Sequence, residues 1–189
     1  MKLKRLSRKF YTRKTLTVAK DLLGKYIVRK IGSKKLVGKI VETEAYIGPK
    51  DKASHAFGGK LTLRNKTEYL KGGHIYIYLC YGMYWQLNIT TEKAGKPECV
   101  LIRALEPIGK VKSKKIASGP GKLCKWMKLD KSFNGEDLVN SKKIWLEADE
   151  KLKKQQIIAA KRIGIEYAGI WKEKPWRFYL KNNPFVSHF

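Results

Sequence analysis

The segment KYIVRKI (Lys25–Ile31) is followed by GSK (Gly32–Lys34) and then by KLVGKIVETE (Lys35–Glu44). Both flanks are rich in β-branched and aromatic residues, and a glycine-led break separates them, which is the pattern of a β-hairpin. A hairpin makes the pair antiparallel, and the rest of the chain extends that reading. Upstream, Thr15–Leu23 has helical spacing at Leu16, Ala19 and Leu23, with Thr15 as a capping residue and Gly24 as a stop. Downstream, His74–Leu79 alternates as a strand. Tyr81-Gly82-Met83-Tyr84 interrupts it, Trp85–Thr90 resumes, and Cys99–Leu105 carries another strand signature. Ser118-Gly119-Pro120 opens a helix over Lys122–Lys128, Lys151–Arg162 reads as a lysine-flanked amphipathic helix, and Arg177–Leu180 as a late strand. Strands and helices follow one another without regular βαβ alternation. The expected class is α+β with a mainly antiparallel sheet.

The 189 residues correspond to one domain of ordinary size, and no repeat or Pro/Gly/Ser linker divides them. Charge is the departure from the ordinary. Lys and Arg number 42 against 16 Asp and Glu, a formal net charge of +26. Such self-repulsion is tolerated when a polyanion or a salty environment offsets it, and the first reading is nucleic acid. Residues 2–14 and 108–128 are acid-free basic patches, and the loop-like part of the second is Ile108–Lys115. Lysine dominates them, which suits phosphate neutralisation better than base reading; the alternative for any one patch is a merely solvated face. No apolar run is long enough for a membrane span, and the basic start lacks the apolar core of a signal peptide. Cys80, Cys99 and Cys124 are odd in number and have no C-x-x-C, so reduced thiols of an intracellular protein are expected, not a disulfide framework or a zinc site.

Three groups carry chemical promise. Glu42 and Glu44 point to one face of their strand, where paired carboxylates can divide acid and base work or, alternatively, pair with lysines on a solvated face. Tyr76, Tyr78, Tyr81, Tyr84 and Trp85 lie among cations, as base stacking and duplex wedging require. Core packing is the alternative for them, most of all for Tyr76. His55 lies in a polar, glycine-containing loop, either as part of a site or as a surface histidine. The three histidines have no metal-ligand spacing.

Taken in order, the blocks Glu42–Pro49, Ser54-His55 with Gly58-Gly59, Tyr76–Tyr84 with Asn88, Val100–Pro107, Ser118–Cys124, Arg162–Ile165 with Ala168-Gly169, and Lys174–Tyr179 resemble the alkyladenine (3-methyladenine) DNA glycosylases over nearly the whole chain. The resemblance implies one domain over residues 1–189, with helices around a curved antiparallel sheet. It implies hydrolysis of the N-glycosidic bond of alkylated or deaminated purines in duplex DNA, without metal or other cofactor. By position, Glu44 would be the general base, with Arg103 and the backbone of Ile163 holding the attacking water. Tyr46, His55 and Tyr78 would line the pocket for the flipped base, and Asn88 would crowd the 2-amino group of guanine. Tyr81, with Met83 beside it, would wedge into the duplex. Glu42 would support the site or Arg103. A monomer without lyase activity, acting on cytoplasmic, nucleoid-associated DNA if the source is prokaryotic, is expected. Leu63 stands where the family often has proline, and Phe57 replaces a commonly polar residue. Trp85 and Gln86 follow the wedge, and all four bear on substrate preference. The rival readings are a catalytically inactive DNA-binding module of the same fold and, against the +26 charge, a glycosidase of a sugar polymer.

Overall fold

A computed structural model describes residues 3–111, 113, 115–149 and 156–188. Nine strands lie in one sheet among these residues: β1 (Leu3–Arg5), β2 (Tyr26–Ile31), β3 (Lys34–Ile47), β4 (Ile75–Cys80), β5 (Tyr84–Thr90), β6 (Glu98–Pro107), β7 (Ile144–Asp149), β8 (Ile157–Ala160) and β9 (Arg177–Leu180). Their order is β1-β7-β2-β3-β6-β5-β4, with β9 on β3 and β8 on β9. Every pairing is antiparallel. The helices are α1 (Arg8–Tyr11), α2 (Thr15–Asp21) and α3 (Pro120–Met127), supplemented by short 3-10 turns. The class is α+β, as expected. No helix is long and apolar enough to cross a membrane among the described residues.

The hairpin forms where the sequence places it. Ile31 pairs with Lys34 across Gly32-Ser33, and Gly32 has φ +59, a conformation that glycine reaches without a Cβ clash. Strand β3 then runs on past Glu44 to Ile47 and changes neighbours: Lys34–Lys39 pair with β2 and Glu42–Glu44 with β9, while β6 accompanies it on the other side from Gly38 to Ile47. The β3–β6 register is irregular between Ile40 and Thr43 and is the same on either side. Such bulges re-aim side chains locally.

Strand alternation divides the sheet into two faces. Val41 and Ala45 of β3, Ile75 and Ile77 of β4, Leu87 and Ile89 of β5, and Val100, Ile102 and Ala104 of β6 enter the main core with Val18 and Ala19 of α2 and Leu22 just after it. Each large aliphatic side chain buried there contributes about 1.5–3 kcal/mol. Thr43 is tied to this face by its hydroxyl, which donates to the Ala19 carbonyl at 2.9 Å. Helix α3 closes on β5 because Gly121 has no side chain; a Cβ there would meet the Tyr84 ring at 2.9 Å. The opposite face carries the polar and aromatic residues of the blocks above.

Three expectations need correction. Thr15 is the first helical residue, not a cap; its hydroxyl bonds to Thr91 and Glu98, and Lys14 occupies the cap position. Residues 157–160 of the expected helix Lys151–Arg162 form strand β8, while residues 150–155 lie outside the described residues. The four residues of β8 pair with β9, so strand pairing of Ile157-Ile158 outweighs the helical preference of the flanking Lys, Gln and Ala residues. The helix opened by Ser118-Gly119-Pro120 begins at Pro120 and ends at Met127, with Lys128 in the left-handed region.

Candidate active site

The face opposite the core presents Glu42, Glu44 and Tyr46 from β3, flanked by Leu101 and Arg103 of β6 on one side and Arg177 of β9 on the other. Glu42 and Glu44 are both fully buried, which excludes the solvated, lysine-paired alternative. Buried carboxylates persist only when charge and hydrogen bonds compensate them. Glu42 accepts from Arg103 Nε at 3.1 Å, Arg177 Nη1 at 3.0 Å and the Ser187 amide at 2.7 Å. Glu44 accepts from the Ile163 amide at 2.8 Å and from the Tyr46 hydroxyl at 2.9 Å, and pairs with Arg103 Nη1 at 3.2 Å. Arg103 therefore bridges the two carboxylates. Burial works against its charge, but Glu44 and Glu42 overcome this and hold its pKa above the ordinary value. The Tyr46 phenol is pushed well above its ordinary range by burial and then by Glu44, so it acts as a donor to the carboxylate. Two carboxylates and two guanidiniums balance in charge, and Glu44 has lone pairs left to accept a further donor.

The Ile163 amide reaches Glu44 because the residue before it is clamped. Arg162 forks onto Asp51 at 2.6 and 2.9 Å, and both side chains are fully buried. The same guanidinium donates to the carbonyls of Ala45 at 3.0 Å and Trp171 at 3.2 Å and lies over the rings of Tyr46 and Trp176. Asp51 in turn accepts from the amides of Ile47 and Ala53. Strand β3, the loop after it and the segment after β8 are thus locked together at one point.

The three partners of Glu44, Tyr46, Arg103 and Ile163, border a cleft of about 380 Å³ that is lined also by His55, Tyr78, Arg64 and Tyr81. Its walls are aromatic. The rings of His55 and Tyr78 meet edge to face at 4.5 Å. His55 Nδ1 bonds to the Tyr76 hydroxyl at 2.7 Å, and the Tyr78 hydroxyl donates to Gln86 at 3.0 Å. Burial and the field of Arg64 lower the His55 pKa to about 4, leaving a neutral imidazole near pH 7. The His55 loop is pinned by Asn65, whose amide donates to the His55 and Lys60 carbonyls. Tyr76 is fully buried, as the core alternative expects, and its hydroxyl holds His55 from behind the cleft.

Tyr81 stands at the rim, 85% exposed, at the tip of the β4–β5 turn. It has φ +50 and Gly82 has φ +68, and Met83 donates its amide to the Cys80 carbonyl. That is a tight hairpin turn with a bulky residue in a region that disfavours side chains; such strain clusters at functional positions.

The structure brings together Glu44, Arg103, Ile163, Tyr46, His55 and Tyr78, and sets Tyr81 on their rim. Met83 is 67% exposed and borders a different depression, shared with Tyr84, Gly121 and Lys122. Asn88 is buried and does not border the cleft; it borders a water-sized cavity behind it, lined also by Tyr46, His55, Tyr76, Tyr78, Glu68 and Cys99. Asp51, Arg162, Arg177 and Glu68 carry no role in the sequence reading. The position of Arg162 beside Ile163 is the one local hint, since its partner is 111 residues away. Among the described residues no three His, Cys, Asp or Glu side chains converge on a metal position.

Comparison with known proteins gives one answer. The family described as "Methylpurine-DNA glycosylase (MPG)" matches residues 9–184. A protein of Natranaerobius thermophilus named "Putative 3-methyladenine DNA glycosylase" is 45% identical over 97% of this chain and 98% of its own. Proteins bearing the same name in Clostridium perfringens (46% identical, 97% of this chain and 98% of theirs) and in Methanocella arvoryzae (49%, 96% and 95%) match equally fully. With nearly every residue of each chain aligned, the protein belongs to the methylpurine-DNA glycosylase family, whose names denote DNA-repair glycosylases.

Proposed function

We propose that this chain removes alkylated and deaminated purines from duplex DNA by hydrolysing the N-glycosidic bond, with Glu44 as the base that activates water. The observation that carries this is the seating of Glu44: a buried carboxylate held by the Ile163 amide, Tyr46 and Arg103, three groups whose residues all border the aromatic cleft. The scissile bond lies inside the base stack, so the nucleotide must leave it, at a cost of a few kcal/mol. Tyr81, on its strained turn, fills the vacated gap and offsets part of that cost. The extruded base lies among Tyr46, His55 and Tyr78. Methylated purines such as 3-methyladenine are cationic, and ring faces attract cations by about 0.5–2 kcal/mol. Water then attacks C1′, the C1′–N bond breaks, Glu44 takes the proton and an abasic site remains. The carboxylate also faces the positive charge that develops on the sugar. Arg103 and the Ile163 amide fix the water and the carboxylate. Among the described residues no lysine borders the cleft, in keeping with hydrolysis without strand cleavage. Asn88, one layer deeper, sets the depth to which a purine edge can enter and works against guanine. The net charge of +26 supplies sequence-independent attraction to the phosphates.

Single-turnover excision from duplexes holding one hypoxanthine or one ethenoadenine, and from methylated DNA, tests this reading. Abasic product from at least one substrate is expected. No product from any of them, with duplex binding intact, gives the inactive DNA-binding module instead. Binding should weaken with salt, with a log–log slope of about −0.9 per phosphate contact, and a flat response excludes DNA as the partner.

A further inference from the structure

Behind the cleft, Glu68 has a place that the mechanism above does not use. It is 2% exposed, on the 3-10 turn Lys66–Tyr69. One carboxyl oxygen accepts from Cys99 Sγ at 3.4 Å, and the other is buried without a hydrogen-bond partner. Among the described residues no cation lies within ion-pairing distance. Glu68 borders a cavity of about 10 Å³, room for one water, and four of its lining residues, Tyr46, Ala53, His55 and Tyr78, also border the cleft. A buried carboxyl with a spare oxygen, on a water-sized cavity that shares Tyr46, Ala53, His55 and Tyr78 with the base site, is placed to act as a general acid through a water.

The geometry points to Glu68 as the proton donor, through that one water, to a neutral purine as it leaves. The donated proton goes from the carboxyl to the water and from the water to a ring nitrogen of the base, while C1′–N breaks and Glu44 receives the proton of the attacking water; solvent later reprotonates Glu68. A cationic methylpurine leaves without this proton. The inference rests on the glycosylase reading. Burial raises the Glu68 pKa to about 7, against a smaller opposing effect of Cys99. The titratable neighbours are Cys99 of β6, Tyr76 and Tyr78 of β4, Tyr46 of β3 and His55. Burial pushes the thiol and the phenols up and the imidazole down, so they stay uncharged near neutrality. Arg64 is the charged group whose field reaches His55 and Tyr76, while the fields of Asp51 and Glu98 reach Cys99.

Single-turnover rates are measured between about pH 5.5 and 9 on a hypoxanthine duplex and on DNA carrying cationic 7-methylguanine. For the wild type, hypoxanthine excision should fall about tenfold per pH unit above about pH 7, where Glu68 loses its proton, and 7-methylguanine excision should lack that limb. Glu68→Gln should lose about a hundredfold on hypoxanthine, together with the limb, and stay within about threefold on 7-methylguanine. An unchanged hypoxanthine profile, or equal losses on both lesions, overturns the assignment. If Glu68→Gln fails to fold, Glu68→Asp, which keeps a carboxyl but draws it back from the cavity, should slow hypoxanthine excision more than 7-methylguanine excision, and equal slowing of both overturns the assignment. Excision of 7-methylguanine without any of hypoxanthine refutes Glu68 while leaving the glycosylase reading intact; excision of neither refutes that reading itself.

Discussion

Replacing Arg162 by Met tests the link between the buried clamp and the site. The guanidinium makes four hydrogen bonds: two to Asp51 at 2.6 and 2.9 Å and two to carbonyls at 3.0 and 3.2 Å. Met fills much of the volume but leaves the Asp51 carboxylate buried with only the amides of Ile47 and Ala53. Breaking a fully buried pair from one side costs about 3–5 kcal/mol, because the remaining charge is uncompensated. At a urea slope of about 2 kcal/mol per molar, the unfolding midpoint should fall by about 1.5–2.5 M. Arg162→Lys keeps the charge but loses the fork, and should lie between the two. Pairing the Met change with Asp51→Asn should recover part of the loss, since the stranded charge is gone. Equilibrium urea unfolding of the four proteins measures all of this. Excision by folded Arg162→Met should also fall, because Ile163 follows directly and its amide holds Glu44. A midpoint shift under about 0.5 M, the scale of an exposed ion pair, would refute the clamp.

Further expectations follow from other residues of the face. Tyr81→Gly should leave the melting temperature equal or higher, since glycine relaxes the positive φ, while excision drops; a lower melting temperature with unchanged excision contradicts the wedge. Glu42→Gln leaves Arg177 without a carboxylate and Arg103 with Glu44 alone, and should cost about 3 kcal/mol in denaturation, yet the folded variant should keep measurable excision. A complete loss in a folded Glu42→Gln protein would make Glu42 the base instead. Because the His55 pKa falls from 6.5 to about 4 in the folded state, its contribution to stability is whole above pH 6.5 and is lost as pH falls toward 4. The side chain is open to the cleft, so the effect is small; a pH series of melting temperatures on the wild type and His55→Asn measures it, with the variant flatter between pH 6.5 and 4.

The strands that build the site were legible because each side of a half-buried strand repeats every second residue: Tyr76 and Tyr78, Gln86 and Asn88, and Glu42, Glu44 and Tyr46 all share one face. The positive-φ turn at Tyr81 was legible as a break in that alternation. Strand β8 was not, since Ile157–Ala160 is short and becomes a strand only by pairing with β9. The partners of the carboxylates were hidden for a related reason. Glu42 meets Ser187 across 145 residues and Asp51 meets Arg162 across 111, and no local spacing encodes such contacts. Glu68 has no motif around it in the sequence, and only its burial and the missing partner of its second oxygen set it apart.

The account turns on Glu44 as the group that activates water, and the rate of single-turnover excision by Glu44→Gln tests that most directly. The amide keeps the shape of the side chain but cannot take a proton from water. Excision of hypoxanthine should fall by at least about a hundredfold, while duplex affinity stays within about threefold of the wild type. Excision at the wild-type rate in that variant would contradict the claim and move the base elsewhere on the face.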